Sequence, residues 1–392
     1  MSASTRSTPT TGGEEHESFV QRRFTSRLHE PRTAALLGTW LGVAFGTCFL
    51  TGVASHLVQH PTWWTTWPTR PVSLYAITQG VHVATGLASI PLLLAKLWTV
   101  YPRLFAWPPV SGVLNALERG SLLVLVGGSV MQLVTGLANI SLWYPWPFFF
   151  TTTHFWTSWL VIGALLVHVA TKLVVARAHL GRGRPREEGA GPDRRRFLTG
   201  VVLAAGAVTV ATVGQTLHLL RPVSLLAPRV ATVGPQGLPV NKSAVSAGVE
   251  QAAAEPGYEL AVDGAAPFTL TRADLQAMEQ HTEDLPIACV EGWNALGTWT
   301  GVRVRDLLER AGWDGTSDVR VESIQTGSRY SSSLLPAGHA RDPRTLLALQ
   351  LGGEELALDH GYPCRLIAPT LPGVMQTKWV ARLAPVTSGA TA

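Results

Sequence analysis

Leu285-Pro-Ile-Ala-Cys289-Val-Glu-Gly-Trp293-Asn-Ala-Leu-Gly-Thr-Trp299-Thr-Gly301-Val302 opens as a short apolar strand and ends that strand on a cysteine. A thiolate is a soft ligand, and a lone cysteine can give one sulfur to a metal whose other ligands come from a cofactor. A buried cysteine that merely packs as a small hydrophobe is the other reading of the same residue. Around this stretch, β-like runs at Glu259–Val262, Pro286–Val290, Val319–Ser323, Arg365–Ala368 and Lys378–Leu383 alternate with two helical patterns. These patterns are Thr271–Gln280, started by a Thr-x-x-Asp capping box at Thr271 and Asp274, and Val304–Ala311. Residues 257–388 therefore read as a compact, β-rich α+β domain, and the Pro-, Gly-, Ala- and Val-rich residues 222–256 as a linker leading into it.

The rest of the chain has a different composition. Over 392 residues, apolar side chains make up 46% and charged ones only 15%, against about 25% charged in soluble proteins. Five apolar segments, Thr33–His56, Val72–Leu97, Arg119–Ser141, Phe155–Ala176 and Phe197–Leu217, each approach the roughly 20 residues that span a bilayer. The fold class expected is an all-α transmembrane helical bundle of five spans followed by the α+β domain. Residues 1–32 are polar and read as a disordered cytoplasmic tail with no cleavable signal, residues 33–180 as a four-span unit, and residues 181–221 as a basic loop plus the fifth span.

Basic residues set the orientation. Arg22, Arg23, Arg27 and Arg32 precede span one; Lys96, Arg103 and Arg119 lie between spans two and three; Lys172, Arg177, Arg182, Arg184, Arg186 and Arg194 to Arg196 lie between spans four and five. The alternate loops hold only Arg70, and they carry Trp63, Trp64, Trp67, Trp143, Tyr144, Trp146 and Phe148 to Phe150. Positive charge inside and an aromatic belt outside agree: the N-terminus is cytoplasmic and the C-terminal domain lies beyond the plasma membrane. Asp193-Arg-Arg-Arg-Phe-Leu-Thr199, ahead of an Ala- and Gly-rich apolar stretch, resembles a twin-arginine export signal. Ordinary stop-transfer arginines are the plainer reading of it. The formal charge of +5 comes from these flanks, so nucleic acid is excluded as a partner. Three cysteines without paired spacing exclude a disulfide framework, and Cys48 and Cys364 read as packed side chains.

Ionisable side chains inside a bilayer mark function. His56, His82, His154 and His168 lie within or at the ends of spans. Neutral imidazole is the usual axial ligand of b-type haem. Counted from their outer ends at 1.5 Å per residue, His82 lies ~15 Å deep and His168 ~20 Å deep, which places one haem between them. His154, ~21 Å above His168, would hold a second haem with His56.

The Cys289–Val302 stretch, with Leu307-Leu308 after it, resembles the cofactor motif of the sulfite oxidase superfamily. This superfamily includes sulfite oxidase, assimilatory nitrate reductase and a periplasmic methionine sulfoxide reductase. A second match, His360-Gly-Tyr-Pro-Cys-Arg365-Leu-Ile-Ala-Pro369 followed by Gly373 and Gln376-Thr-Lys-Trp379, comes in family order, and the resemblance runs over roughly residues 235–386. It implies that Cys289 binds molybdenum and that His360, Arg365, Gln376, Thr377 and Lys378, with Asn241, hold the molybdopterin. Arg329 and Tyr330 fall where the family places polar active-site residues. After its cysteine, animal and plant sulfite oxidase carries Asn-Arg-Arg, where this chain has Glu291-Gly292-Trp293; that departure speaks against sulfite. The four-span unit is similar to membrane cytochrome b subunits.

The resulting expectation is a membrane-bound molybdopterin oxidoreductase transferring oxygen atoms outside the membrane, on a small oxyanion or a sulfoxide-like substrate. Its electrons would be exchanged through haem with a quinone, and lipid would surround its spans. Two other readings differ in class: the same enzyme with a haem-free anchor and a soluble electron carrier, and a non-catalytic membrane sensor.

Overall fold

The computed structural model describes residues 27–62, 64–104, 112–180 and 191–386. Most of the expected tail, Trp63 and the basic residues Arg182, Arg184 and Arg186 lie outside the described residues.

Five long helices form the N-terminal half: α1 (Pro31–Gln59), α2 (Leu74–Leu104), α3 (Val113–Ile140), α4 (Phe150–Leu180) and α5 (Gly191–Thr212). All five are long and apolar enough to cross a membrane, and only 11 to 33% of their most apolar windows is buried within the protein. Side chains such as Val43, Leu123 and Leu203 are 65%, 76% and 66% exposed. A surface that apolar is compatible with an apolar medium around it. Pro31 starts α1, where its missing N–H is no loss. Glycines admit neighbouring helices closely: a Cβ on Gly128 of α3 would stand 2.6 Å from Val161 of α4. Helix α4 begins at Phe150, five residues before the expected Phe155, and α5 begins at Gly191, so Arg194 to Arg196 lie inside its first turns.

After short 3-10 turns at Val213–Gln215 and His218–Val223, the chain enters the second half. Of residues 222–256, expected as a linker, 222–226 bond back to α5 through Ser224 Oγ and the Leu226 N–H, and 231–256 pack into the C-terminal domain. They bury Ala231 and Leu238 in one core, and Ala244, Val249 and Ala253 beside Trp379 in another, using the short helices α6 (Ala244–Ala247) and α7 (Glu250–Ala254). Ten strands follow: β1 (Glu259–Val262), β2 (Phe268–Thr271), β3 (His281–Ala288), β4 (Asn294–Arg303), β5 (Val319–Ser323), β6 (Ser332–Leu335), β7 (Leu346–Leu351), β8 (Glu354–Glu355), β9 (Arg365–Ile367) and β10 (Val380–Pro385). One sheet is ordered β2-β1-β10-β5-β6, with β1 and β10 parallel; the other is β3-β4-β7-β8, with β9 on β7. Helices α8 (Arg272–Ala277), α9 (Val304–Arg310) and α10 (Ala337–Arg341) join them. The capping box at Thr271 and Asp274 forms on both sides and starts α8. Cys364 is fully buried in the core, its sulfur 3.0 Å from the Tyr258 hydroxyl.

The pair β3–β4 carries the key cysteine to the edge of the bundle. Ala288 stands across from Asn294, so Cys289 to Trp293 form the tip of a hairpin, closed by Cys289 N–H donating to Trp293 O at 2.8 Å. Gly292 in this tip has φ +84°, which a side chain adopts only under strain. Its missing Cβ also makes room for Ile140 and Val83 of the bundle, at 3.1 and 3.3 Å. The loop between α1 and α2 grips the domain from the side: Trp67 Nε1 donates to Thr370 O, Thr370 Oγ1 to Pro68 O, and Arg344 to Thr69 O.

Candidate functional site

Cys289 is 3% exposed. Its sulfur accepts from Asn241 Nδ2 at 2.7 Å and from the Glu291 N–H at 3.4 Å. Asn241 is held in turn, its Oδ1 accepting from Arg229 at 2.6 Å and Trp293 Nε1 at 3.0 Å. Burial, then the Glu291 charge, pushes the Cys289 thiol up to about 12. The free thiol therefore keeps its proton at neutral pH, and a bound metal would displace it. Two donors aimed at one sulfur suit a thiolate.

The second motif passes directly behind. Pro372 bridges Ala288, and a Cβ on Gly373 would touch Ile287 at 3.1 Å and Cys289 Cα at 4.0 Å. Arg365 is buried. It donates to the carbonyls of His360 (3.0 Å) and Gln376 (3.3 Å), lies 5.1 Å from the Trp299 ring, and leaves Nε without a partner. Lys378 Nζ donates to Lys242 O at 2.5 Å and Asp359 O at 2.9 Å. Among the described residues neither cation has a carboxylate ion-pair partner. A buried guanidinium and a part-buried ammonium without a carboxylate partner suit an anion. Burial and the neighbouring Arg365 charge pull the Lys378 ammonium down to about 7. Gln376 is anchored through Nε2 to Leu371 O, and its buried Oε1 has no partner. Thr377 pairs with Ser333, and His360 Nε2 donates to Pro235 O at 2.7 Å. Burial and Arg365 bring that imidazole down to about 4, so it is neutral.

Arg329 and Tyr330 sit apart from this cluster. Both are exposed in the turn after β5, Arg329 over the Tyr330 ring at 5.4 Å, and Arg329 faces the mouth of a cavity in the bundle. Two residues outside the sequence motifs, Arg229 and Tyr144, stand near the thiol together with Glu291. Arg229 lies 3.8 Å from Glu291. Burial holds the Glu291 carboxyl above its ordinary value, and Arg229 works against that. Burial, then the charges of Glu291 and Cys289, push the Tyr144 phenol up to about 12. The only sequence signal for Arg229 is a lone charge in an apolar, Pro-rich stretch.

The helical half contains a cavity of about 440 Å³, within the range of cofactor sites. The structure corrects the expected histidine pairing here. His82 faces His154, ring centroids 6.1 Å apart and planes at 69°. His168 does not line the cavity; it lies near Lys96, Lys172 and Glu118. The reason is the earlier start of α4. From Phe150, His154 lies only ~6 Å along the helix and His168 ~27 Å, against ~12 Å for His82 along α2. His56 also fails to pair with His154: it stacks on Phe155 at 3.8 Å and on His60 at 4.3 Å. Thr135 Oγ1 donates to Met131 O, so it accepts from His154 Nδ1 at 2.9 Å. Thr51 Oγ1 donates to Thr47 O, so His82 Nδ1 donates to Thr51 and to Cys48 O, each at 3.0 Å. Both imidazoles thus carry their proton on Nδ1, which leaves the lone pair on Nε2, and both line the cavity. Gly52 and Gly136 leave the space beside them; a Cβ at either would stand 3.3 Å from the facing imidazole. Among the described residues no cluster of three or more His, Cys, Asp or Glu could hold a metal ion. Two opposed imidazoles suit a metal that brings its remaining ligands with it.

Residues 246–390 match the family described as the oxidoreductase molybdopterin binding domain. Mitochondrial sulfite oxidase of Drosophila melanogaster is 33% identical over 153 residues, 32% of this chain and 26% of that one. Nitrate reductase [NADH] of Spinacia oleracea is 35% identical over 130 residues, 30% of this chain and 14% of its own length. The protein-methionine-sulfoxide reductase subunit YedZ1 of Azospira oryzae is 32% identical over 113 residues, 29% of this chain and 42% of its own. The chain thus spans less than half the length of each of these relatives. The C-terminal domain is a molybdopterin-binding domain of the oxidoreductase kind.

Proposed function

We propose that this chain is a membrane-bound molybdopterin oxidoreductase that transfers an oxygen atom on the outer side of the membrane, and that its helical half holds a b-type haem between His82 and His154. The observation that carries the reading is the presence, in one chain, of a buried thiol beside an unneutralised cation pair and of two imidazoles that line one apolar cavity. His82 and His154, 6.1 Å apart between ring centroids, would be the residues that hold the haem iron.

When bound, molybdenum on its pterin supplies two-electron oxygen transfer, and haem supplies single-electron exchange with a quinol. The protein's part is to hold and to tune. Cys289 binds the metal as thiolate, and Asn241, fixed by Arg229 and Trp293, donates to its sulfur. Arg365 and Lys378 would hold the pterin's phosphate, and Gln376, whose Oε1 has no partner, and His360 would be further contacts. Glu291, paired with Arg229 at 3.8 Å, sets the charge beside the sulfur. For a sulfoxide the balance is R₂SO + 2 e⁻ + 2 H⁺ → R₂S + H₂O, with a quinol giving the electrons and protons. A neutral substrate fits because Arg229 and Glu291 balance each other beside the thiol, whereas an oxyanion would need excess positive charge there.

Molybdenum and haem measured on one sample purified from membranes test this reading. The expected result is one of each per chain. Molybdenum without haem would leave the helical half as an anchor served by a soluble carrier, and neither cofactor would leave a binding protein.

Retention of the pterin should depend on pH through Lys378. A phosphate favours the ammonium form, so binding is full below about pH 7 and weakens above it, by up to about tenfold per pH unit. Dialysis at pH 6.5 and pH 9 measures it, with Lys378→Met removing the dependence; equal retention in wild type at both pH values would take Lys378 off the phosphate.

Export across the membrane after folding is part of the proposal. Arg194→Lys with Arg195→Lys should leave the first four helices inserted and the C-terminal domain inside the cell, as read by protease shaving of spheroplasts. Normal accessibility beyond Pro222 would reduce these arginines to ordinary flanking charge.

A further inference from the structure

We propose that Gln79 and Asn139 are positioning residues that lock the Cys289 hairpin tip onto the His82–His154 cavity, so that the helical half is a rigid seat for the cofactor site and not a tether. The inference rests on the two-cofactor reading above and adds to it the residues that set the geometry between the two centres.

The tip meets the bundle through its backbone. Val290 O accepts from Asn139 Nδ2 at 3.2 Å and from Gln79 Nε2 at 3.5 Å, while Val290 itself closes the end of the cavity. Two residues on, Gly292 O accepts from Thr216 Oγ1, and the glycine packs against Val83 and Ile140. Gln215, 1% exposed, accepts the Arg229 N–H and so links the same corner to the segment that fixes Asn241. Three separate helical elements thus hold the four residues that begin with the metal-binding thiol.

The seat and the imidazoles share helix faces. Gln79 stands three residues before His82 on α2. Asn139 stands four residues after Thr135 on α3, the residue whose hydroxyl fixes His154 Nδ1. Residues three and four apart are neighbours on a helix surface, so each clamp amide lies one turn from an imidazole or its support. Val290, next to Cys289 in the chain, lines the cavity. Tunnelling rates fall exponentially with distance, which gives this rigidity a use that a flexible anchor would not need. Buried side-chain amides also require partners, and Gln79, 9% exposed, finds one on the hairpin.

The full chain carrying both cofactors tests the seat, with the variant Gln79→Leu/Asn139→Leu compared with wild type. The b-type signal should remain, since neither residue touches an imidazole, with its band positions free to shift because both residues line the cavity. Amide hydrogen exchange across residues 289–293 should rise at least tenfold. The spin-relaxation enhancement that ferric haem exerts on a Mo(V) signal, a measure of their separation that needs no substrate, should fall at least twofold. Should the double variant fail to accumulate, Asn139→Ala alone is expected to move both readouts in the same direction. Molybdenum without haem in wild type would overturn the two-cofactor reading and this inference with it. Both cofactors present, with exchange and relaxation unaltered in the variants, would overturn the seat alone.

Discussion

Cys289→Ser is expected to leave the fold intact and to remove turnover. The hydroxyl fits the space of the thiol, and the donors from Asn241 and Glu291 can serve oxygen as they serve sulfur, so the cost in stability should be about 1 kcal/mol. The chemistry does not survive the exchange. A serine hydroxyl is a harder and far less acidic donor, and at neutral pH it does not displace its proton for a soft metal. Partners one shell further out are worth about 10–100-fold in metal affinity or activity; loss of the ligand itself should exceed that. Asn241→Ala, which removes one such outer partner, should fall inside it. Wild-type turnover in Cys289→Ser, with unfolding midpoints equal, would show that the sulfur does not bind the metal.

The second large effect is expected in the helical half. His82→Ala and His154→Ala should each abolish the same b-type signal in a reduced-minus-oxidised spectrum, because both imidazoles face one cavity at 6.1 Å between centroids. His168→Ala and His56→Ala should leave that signal in place, since His168 lies outside the cavity and His56 stacks on Phe155 and His60. Gly52→Val and Gly136→Val give a separate check that spares the ligands. Even a Cβ at either position would reach 3.3 Å from an imidazole, so the larger side chain should lower haem content by more than half. A full spectrum in both His82→Ala and His154→Ala would end the pairing.

The pairing also shows where reading by residue count stops. His82 and His168 share a chemistry, and counting from the apolar boundaries puts them at similar depths. Helix α4 starts five residues earlier than its hydropathy suggests, because Phe150 to Thr153 continue the helix although the threonines lower the average. That shift carries His154 into the helix and His168 to its far end. Similarly, Asn294–Arg303 forms the longest strand of the domain, yet its Gly, Thr and Asn mask the alternation that its burial displays.

Composition and pattern by themselves determined the division into an apolar helical half and a β-rich half, the number of long apolar helices, and the two motifs that meet around Cys289 and Arg365. These are local properties, since charge depletion, period and motif spacing are all written along the chain. Tertiary structure alone decided which imidazoles face each other, that residues 231–256 pack into the domain, that Arg229 steadies Asn241, and that the Cys289 tip rests on Gln79 and Asn139. Each of these depends on where separate elements cross, and a buried polar group finds its partner by position in space rather than by distance along the chain.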